Sequence, residues 1–337
     1  MPETNRQWIL VKRPEGPLTE DCFALRESPV PTPGPGEFVV RNELLSCDPT
    51  QRPWIEIDTY LPKIPIGDVV HGAAAGKVVA SNNPEFQVGD AVQGGFGWQD
   101  YCVTDGKGPL GFRAIKLPPG VPLETALSLF GITGLTAYFG MLDVAAVREG
   151  DVVAVSGAAG STGSLAAQIA KNHGATVIGI AGGPRKKAWL TEELRLQGAI
   201  DYKTEDVAAR LKALAPNGLN VYFDNVGGTI LEAALDNLAI GARIALCGAI
   251  AGYDDRSKIH GPANLTNLII KRATMRGFLV LDYVDRAMDA VMRLMQWSGE
   301  GKLVNAVDVA QGLEQTPKAF RNLFTGGNLG KQLVRIA

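Results

Sequence analysis

Three glycines spaced three residues apart, Gly157, Gly160 and Gly163, stand directly behind an apolar run at 151–156, with Ser161 and Thr162 before the last of them. Glycines at that spacing allow a tight turn and let a charged group approach the main chain. A helix starting there turns its first amides and its positive dipole end toward an anion, and a pyrophosphate suits that arrangement. Residues 164–172 then carry leucine, isoleucine and alanine at helical spacing, and His173-Gly174 reads as a C-cap. Residues 176–180 form a second β-branched run. Strand, glycine turn, helix and strand over about 30 residues make the dinucleotide-binding unit. A purely structural βαβ unit shares much of this pattern.

The end of the second strand separates the two nicotinamide dinucleotides. A site for a free ribose 2′-hydroxyl carries Asp or Glu there. Here the chain reads Ala181-Gly182-Gly183-Pro184-Arg185-Lys186-Lys187, without an acid and with three cations. A 2′-phosphate calls for such charge-assisted donors. Cations at a helix N-terminus otherwise oppose its dipole, although a solvated basic helix start is the plainer reading. The expected cofactor is NADP(H).

Other chemistries find less support. Ser161 follows Gly160, with Gly163 two residues on, yet no G-x-S-x-G elbow is formed, because Ala159 stands where the first glycine is required. Cys22, Cys47, Cys102 and Cys247 are far apart and form no CxxC pair, so a disulfide framework is not expected and a reducing cytoplasm is. The chain of 337 residues has 33 Lys or Arg against 35 Asp or Glu, a balance that provides no global field for nucleic acid or an anionic membrane. Neither an 18-residue apolar run nor a signal-peptide profile appears.

Stepping outward, the length points to two domains. Residues 1–125 read as turn-rich β structure, with strands expected at 8–12, 38–45, 76–80, 100–104 and 114–117 and another after the turn at 88–92. The prolines at 118–122 mark a boundary, and helical patterning follows from 123 and through 131–142. From Gly150 strands and helices alternate, with strands expected at 219–225, 242–247 and 274–281 and a helix at 229–238. The apolar stretch 266–270 is expected to pack against the fold. Residues 301–337 carry a strand at 306–309, a helix at 317–323 and a strand at 331–336, expected to return to the first domain.

Several short motifs run in order along nearly the whole chain: Ser46-Cys47-Asp48-Pro49, Gly97-Trp98 with Tyr101, and Gly134-Leu135-Thr136-Ala137-Tyr138. Ala158-Ala159-Gly160-Ser161-Thr162-Gly163, Asp201-Tyr202-Lys203-Thr204 and Tyr222-Phe223-Asp224-Asn225-Val226-Gly227-Gly228 follow. Cys247-Gly248-Ala249-Ile250 with Tyr253, and Asn328-Leu329-Gly330-Lys331, complete the set. Together they resemble the zinc-independent branch of the medium-chain dehydrogenase/reductase superfamily, and within it the alkenal double-bond reductases and prostaglandin (leukotriene) reductases. The resemblance implies an α/β protein, a Rossmann doubly wound parallel-sheet domain inserted in a GroES-like β-barrel domain, usually as a homodimer. The divisions are 1–125 for the GroES-like substrate domain, 126–300 for the Rossmann domain and 301–337 for the return segment. It implies NADPH held by Gly160, Ser161, Thr162 and Gly163, with Lys186 and Tyr202 near the 2′-phosphate. Asn225, Cys247, Gly248, Ala249, Ile250, Tyr253, Phe278, Leu279, Val280 and Asn328 would line the rest of the cofactor.

The superfamily's other large branch uses catalytic zinc, which takes Cys and His ligands with one open position. Cys47 falls where that branch has a thiolate ligand, and His71 lies near the place of the second. The sequence there reads Val70-His71-Gly72-Ala73 rather than Gly-His-Glu, and no four-cysteine lobe exists, so no metal is expected. Cys47 then reads as a small buried residue and His71 as a packed or hydrogen-bonded strand residue; His173 and His260 read as surface residues.

Without a metal, a carbonyl must be polarised by hydroxyls, backbone donors or the cofactor's ribose. The implied reaction is NADPH-dependent reduction of the C=C bond of an α,β-unsaturated aldehyde or ketone, by hydride transfer to the β-carbon and protonation of the enolate. Hydrogen bonds to the enolate oxygen stabilise it, and a tyrosine can donate or relay the proton. Tyr253, after the 247–250 loop, and Tyr60, in Thr59-Tyr60-Leu61-Pro62, are the two candidates, each with a structural role as the alternative. Many family members carry Asp-Pro-Tyr-Met-Arg where this chain has Asp48-Pro49-Thr50-Gln51-Arg52. Reduction of a quinone, oxidation of a secondary alcohol, or NADPH binding without catalysis are the competing readings.

Overall fold

The computed structural model describes residues 4–108, 113–254 and 261–337. The chain opens with β1 (Thr4–Leu10), β2 (Phe23–Pro29), β3 (Phe38–Ser46), α1 (Gln51–Glu56) and β4 (Ala74–Ser81). Then come β5 (Ala91–Gly94), β6 (Tyr101–Thr104), β7 (Ile115–Lys116) and α2 (Leu123–Leu127). Next are α3 (Ile132–Phe139), β8 (Val152–Ser156), α4 (Ser161–Asn172), β9 (Thr176–Ala181), α5 (Pro184–Glu192) and β10 (Gly198–Asp201). These lead to α6 (Val207–Leu214), β11 (Leu219–Asp224), α7 (Gly228–Asp236), β12 (Leu238–Leu246), α8 (Thr266–Lys271), β13 (Thr274–Gly277) and α9 (Ala287–Gly299). The chain ends with β14 (Val307–Gln311), α10 (Thr316–Thr325) and β15 (Lys331–Arg335). Two compact units result, 1–127 with 307–337, and 128–306.

The second unit is built on the parallel sheet β10-β9-β8-β11-β12-β13. Valine- and isoleucine-rich strands suit a sheet covered on both faces. Val153, fully buried, pairs with Val177 on one side and Val221 on the other, both also fully buried. The order of connection reverses on either side of β8, and ligands of open α/β sheets bind beyond the strand C-termini at such a switch point. In the first unit, β14-β15-β3-β4-β5-β7 form a mixed sheet, with β6 also paired to β3 and only β14 and β15 parallel. Its core packs around Trp98, whose ring meets Phe23 at 5.4 Å and Phe320 at 5.3 Å.

Several elements depart from the sequence reading. Helix α4 begins at Ser161, a turn earlier than expected, so Ser161, Thr162 and Gly163 are its first residues. The strand expected through 281 stops at Gly277, and the strand after α7 begins at Leu238, only two residues beyond the helix. The helix expected through 142 gives way at Gly140 to a π-helical turn, Gly140–Val144, where a Cβ on Gly140 would lie 2.4 Å from Phe278. Strands β2 and β10 were not anticipated: β2 carries charges on its exposed positions, and β10 has only 4 residues. The apolar stretch 266–270 packs only in part: it lies in α8, where Leu268 meets the core while Ile269 is 77% and Ile270 58% exposed.

Candidate functional site

The glycine turn is a close-packed structure. Gly157 has φ +59°, open to glycine at little cost. A Cβ on Gly163 would stand 2.3 Å from the Gly157 carbonyl oxygen, so any side chain there would push α4 off β8. Gly160 is the extended N-cap of α4 and supplies no side-chain cap to its opening amides. Such amides, at the positive end of a 12-residue helix, are an anion cradle. The Ser161 hydroxyl donates to Thr133 Oγ1 at 2.9 Å, and that hydroxyl donates to the Ser128 carbonyl at 3.0 Å. Ser161 therefore ties α4 to the start of α3 through its side chain and offers its backbone to a ligand.

At the end of β9, Gly182 lies under Tyr202: a Cβ would come within 2.8 Å of the phenol ring. Gly183, at φ +96°, donates its amide to Asp201 Oδ1 at 2.7 Å. The buried Asp201 carboxylate also accepts from Lys203 N and Thr204 Oγ1, each at 3.1 Å. The Gly183 amide above all holds this carboxyl below its usual range. The nearby acid is thus consumed in building the turn. All three cations stand in the first turn of α5: Arg185 is exposed, Lys186 is half-buried, and Lys187 is paired to Glu205 at 2.6 Å.

At the C-terminal ends of β8, β11 and β12, sequence reasoning missed the organising residue. Asp224, buried at the end of β11, accepts from Ser156 Oγ at 2.8 Å, the Tyr222 hydroxyl at 2.9 Å and the amides of Val226 and Gly227 at 3.1 Å. Ser156 accepts the Asn225 amide at 2.9 Å on its hydroxyl, and Asn225 Nδ2 donates to the Ser156 carbonyl at 2.7 Å. The amides of Cys247 and Gly248 donate to the Asp224 carbonyl at 2.8 and 3.0 Å, and Ile250 N to the Asn225 carbonyl at 3.3 Å. Asn225 and the 247–250 loop are thereby brought together. The signal available was an acid closing a buried strand and followed by Asn225 and the paired glycines Gly227 and Gly228.

Tyr253 folds back over that loop, its phenol oxygen accepting from Ala249 N at 3.1 Å. Burial, with Asp224 adding its charge, pushes the Cys247 thiol up to about 12. Phe278 meets Phe223 edge-on at 6.4 Å, while Leu279 and Val280 open the turn that follows β13.

The first unit gathers a different set. Thr50 Oγ1 and the Tyr60 hydroxyl are 3.0 Å apart, and Tyr60 meets Trp54 edge-on at 6.2 Å. The buried Lys331 ammonium pairs with Asp48, which also accepts the Ser46 hydroxyl. Asn328, expected to line the cofactor, is buried and donates to the Gly330 carbonyl at 2.9 Å, a turn-building bond.

Cys47 is buried in this unit, and burial holds its thiol far above the usual range. His71 is not a strand residue; it lies ahead of β4, its carbonyl accepts from Gln51 Nε2 at 2.7 Å, and burial lowers its ring pKa. His173 is half-buried rather than on the surface, its Nδ1 2.9 Å from the Ile169 carbonyl; His260 lies outside the described residues. Among the described residues, no three His, Cys, Asp or Glu side chains are grouped to hold a metal ion.

Residues 6–111 match the family model for the N-terminal domain of oxidoreductase, and residues 161–297 the one for zinc-binding dehydrogenase. The NADPH-dependent curcumin reductase of Escherichia coli is 36% identical over 99% of this chain and 98% of its own. The NADP(+)-dependent 2-alkenal reductase of Nicotiana tabacum is 38% identical over 90% of this chain and 88% of its own. Among solved structures, CurA from Vibrio vulnificus in complex with NADPH matches with a TM-score of 0.92 at 38% identity, covering 98% of this chain and 99% of that one.

Proposed function

From the premise that the chain belongs to the zinc-independent branch of the medium-chain dehydrogenase/reductase superfamily, we propose that it is an NADPH-dependent reductase of the C=C bond of α,β-unsaturated aldehydes and ketones. The observation that carries the cofactor is the turn after β9. Of the acids beside it, Asp201 is spent on the Gly183 amide and Glu205 on Lys187, and the helix beyond carries Arg185 and Lys186 in its first turn. The substrate class follows the curcumin and 2-alkenal reductases matched over nearly the whole chain.

The amides of Gly160, Ser161, Thr162 and Gly163 hold the pyrophosphate, and Lys186 and Tyr202 take the 2′-phosphate. Asn225, the 247–250 loop, residues 278–280 and Asn328 orient the remainder of the cofactor. Bound NADPH supplies hydride to the β-carbon of the substrate. The resulting enolate needs a hydrogen-bond donor at its oxygen and a proton at its α-carbon. Tyr60 and Tyr253 are the donors. The Ala249 amide donates to the Tyr253 oxygen and so fixes the place of that hydroxyl over the 247–250 loop.

The four cysteines are free, in keeping with a reducing cytoplasm. Among the described residues no helix is long and apolar enough to cross a membrane. The active form is a homodimer, a reading supported by the edge strand β13 and the exposed apolar side chains of α8. Light scattering would return a monomer mass if that is wrong.

The deciding experiment mixes the protein with NADPH and separate 2-alkenals, enones and quinones, and with NADP+ and secondary alcohols, following nicotinamide absorbance and product mass. Enals and enones should gain two hydrogens across the double bond. Turnover of quinones alone would replace the assignment, and bound NADPH without any turnover would leave a binding protein.

A further inference from the structure

The Thr50 hydroxyl and the Tyr60 phenol make one hydrogen bond in which either oxygen can be the donor. Their surroundings are unequal. Thr50 sits immediately before α1, in a turn fixed from several directions. Asp48 N donates to Gln51 Oε1 at 2.7 Å, and the fully buried Gln51 spans to the His71 carbonyl. The Asp48 carboxylate is held by the buried Lys331 and by Ser46. Tyr60, by contrast, is 44% exposed, with only one edge of its ring set against Trp54. An anchored hydroxyl thus meets an accessible one.

We propose that Thr50 is a positioning residue for proton delivery by Tyr60, its hydroxyl donating to the Tyr60 oxygen so that the phenol proton is directed to substrate. This rests on the reductase reading above and names a residue that serves the same site. In the opposite sense, the phenol proton is spent on Thr50 and nothing remains to give. With Thr50 donating, Tyr60 keeps its O–H, and its oxygen is stabilised as the proton leaves. Burial raises the Tyr60 pKa and the nearby Asp48 charge adds to that, while the side-chain bonds with Thr50 and, after it, Trp54 act against both. The enolate takes the Tyr60 proton, forming a C–H or O–H bond as the phenol O–H breaks. Water then reprotonates the phenolate from the exposed side of the ring, so the protein ends as it began.

The test compares Thr50→Val, which keeps the shape and removes the hydroxyl, with Thr50→Ser, which keeps the hydroxyl. Both are made alone and in a Tyr60→Phe background, with NADPH and a 2-alkenal as substrates. Thr50→Val should lower kcat roughly fivefold, the loss of about one hydrogen bond, and leave the NADPH KM unchanged. It should also enlarge the solvent isotope effect, because proton delivery becomes slower. Thr50→Ser should recover most of the rate, and Thr50→Val should cost nothing further once Tyr60 is Phe. An unchanged kcat in Thr50→Val, or the same loss in the Tyr60→Phe background, overturns the inference while the wild type still turns over. A wild type inactive on every enal and enone overturns the reductase reading, and this inference with it.

Discussion

Asp224 and Ser156 join the ends of two neighbouring strands through a carboxylate–hydroxyl bond of 2.8 Å, buried at the point where the sheet reverses its order. The same carboxylate binds the Tyr222 hydroxyl and the Val226 and Gly227 amides, so all its listeners are donors. Asp224→Asn replaces one acceptor oxygen with an NH2 group inside that ring. Leaving buried donors without acceptors should cost about 2–3 kcal/mol in urea unfolding. The NADPH dissociation constant should rise as Asn225 and the 247–250 loop loosen. Ser156→Ala removes one donor to the carboxylate and the acceptor of the Asn225 amide but leaves the Val226 and Gly227 amides and the Tyr222 hydroxyl paired, so it should cost less in both measurements. Equal losses would mean that the carboxylate does not organise this edge.

Gly163 and Gly160 offer a graded test of the anion cradle. A Cβ at 163 would meet the Gly157 carbonyl at 2.3 Å, whereas one at 160 would stand 3.2 Å from the same oxygen. Gly163→Ala must move backbone and should destabilise by about 1–3 kcal/mol, with a clear rise in the NADPH KM. Gly160→Ala should be the milder change in both thermal melting and KM.

These contacts also mark where the sequence could and could not be read. The glycine turn and its flanking strands were legible because valine-rich runs and a fixed glycine spacing encode them locally. The start of α4 was not, since Ser161, Thr162 and Gly163 are poor helix formers held in place by Thr133 and by packing on Gly157. Strand β10 is short, and its place at the edge of the sheet is set by pairing with β9. Asp201 and Asp224 stand in the motifs that carry the family resemblance but received no role there, because their roles depend on amides and hydroxyls brought from other segments. Likewise, three consecutive cations gave no sign that Lys187 is committed to Glu205.

That sorting of cations predicts different outcomes for neighbours. Lys186→Glu should raise the NADPH KM at least tenfold by losing a charge-assisted phosphate contact and adding repulsion. The NADH KM should change far less. Lys187→Ala should leave the cofactor preference intact and cost no more than about 1 kcal/mol, since its pair is partly exposed and Glu205 keeps Arg210 at 2.8 Å. Equal effects of Lys186→Glu on both cofactors would remove the 2′-phosphate assignment.

The same turn should be sensitive to acid. The Lys187 hydrogen bond chiefly lowers the Glu205 pKa, and the Gly183 amide chiefly lowers that of Asp201. A carboxyl whose folded pKa lies below its unfolded one stabilises the fold above the ordinary carboxylate range. That stability fades as pH falls through the ordinary values toward the lower folded ones. Asp201→Asn should therefore flatten the loss of stability below about pH 4, while lowering stability at neutral pH. Urea midpoints measured across that range would show an unchanged slope if Asp201 contributes nothing.

Enals are electrophiles that alkylate thiolates, so a protein that reduces them is exposed to its own substrate. Burial pushes the thiols of Cys102 and Cys247 up to about 12. At pH 8 the thiolate, the reactive form, is then roughly one part in ten thousand at each. Cys47 is held higher still by its burial. Native protein incubated with excess 2-alkenal at that pH, without NADPH, should therefore keep these three cysteines unmodified, whereas urea-unfolded protein should gain adducts at them. Peptide mapping that finds the Cys247 adduct on native protein would show an accessible thiolate beside the cofactor loop, and activity would then fall with exposure time instead of persisting.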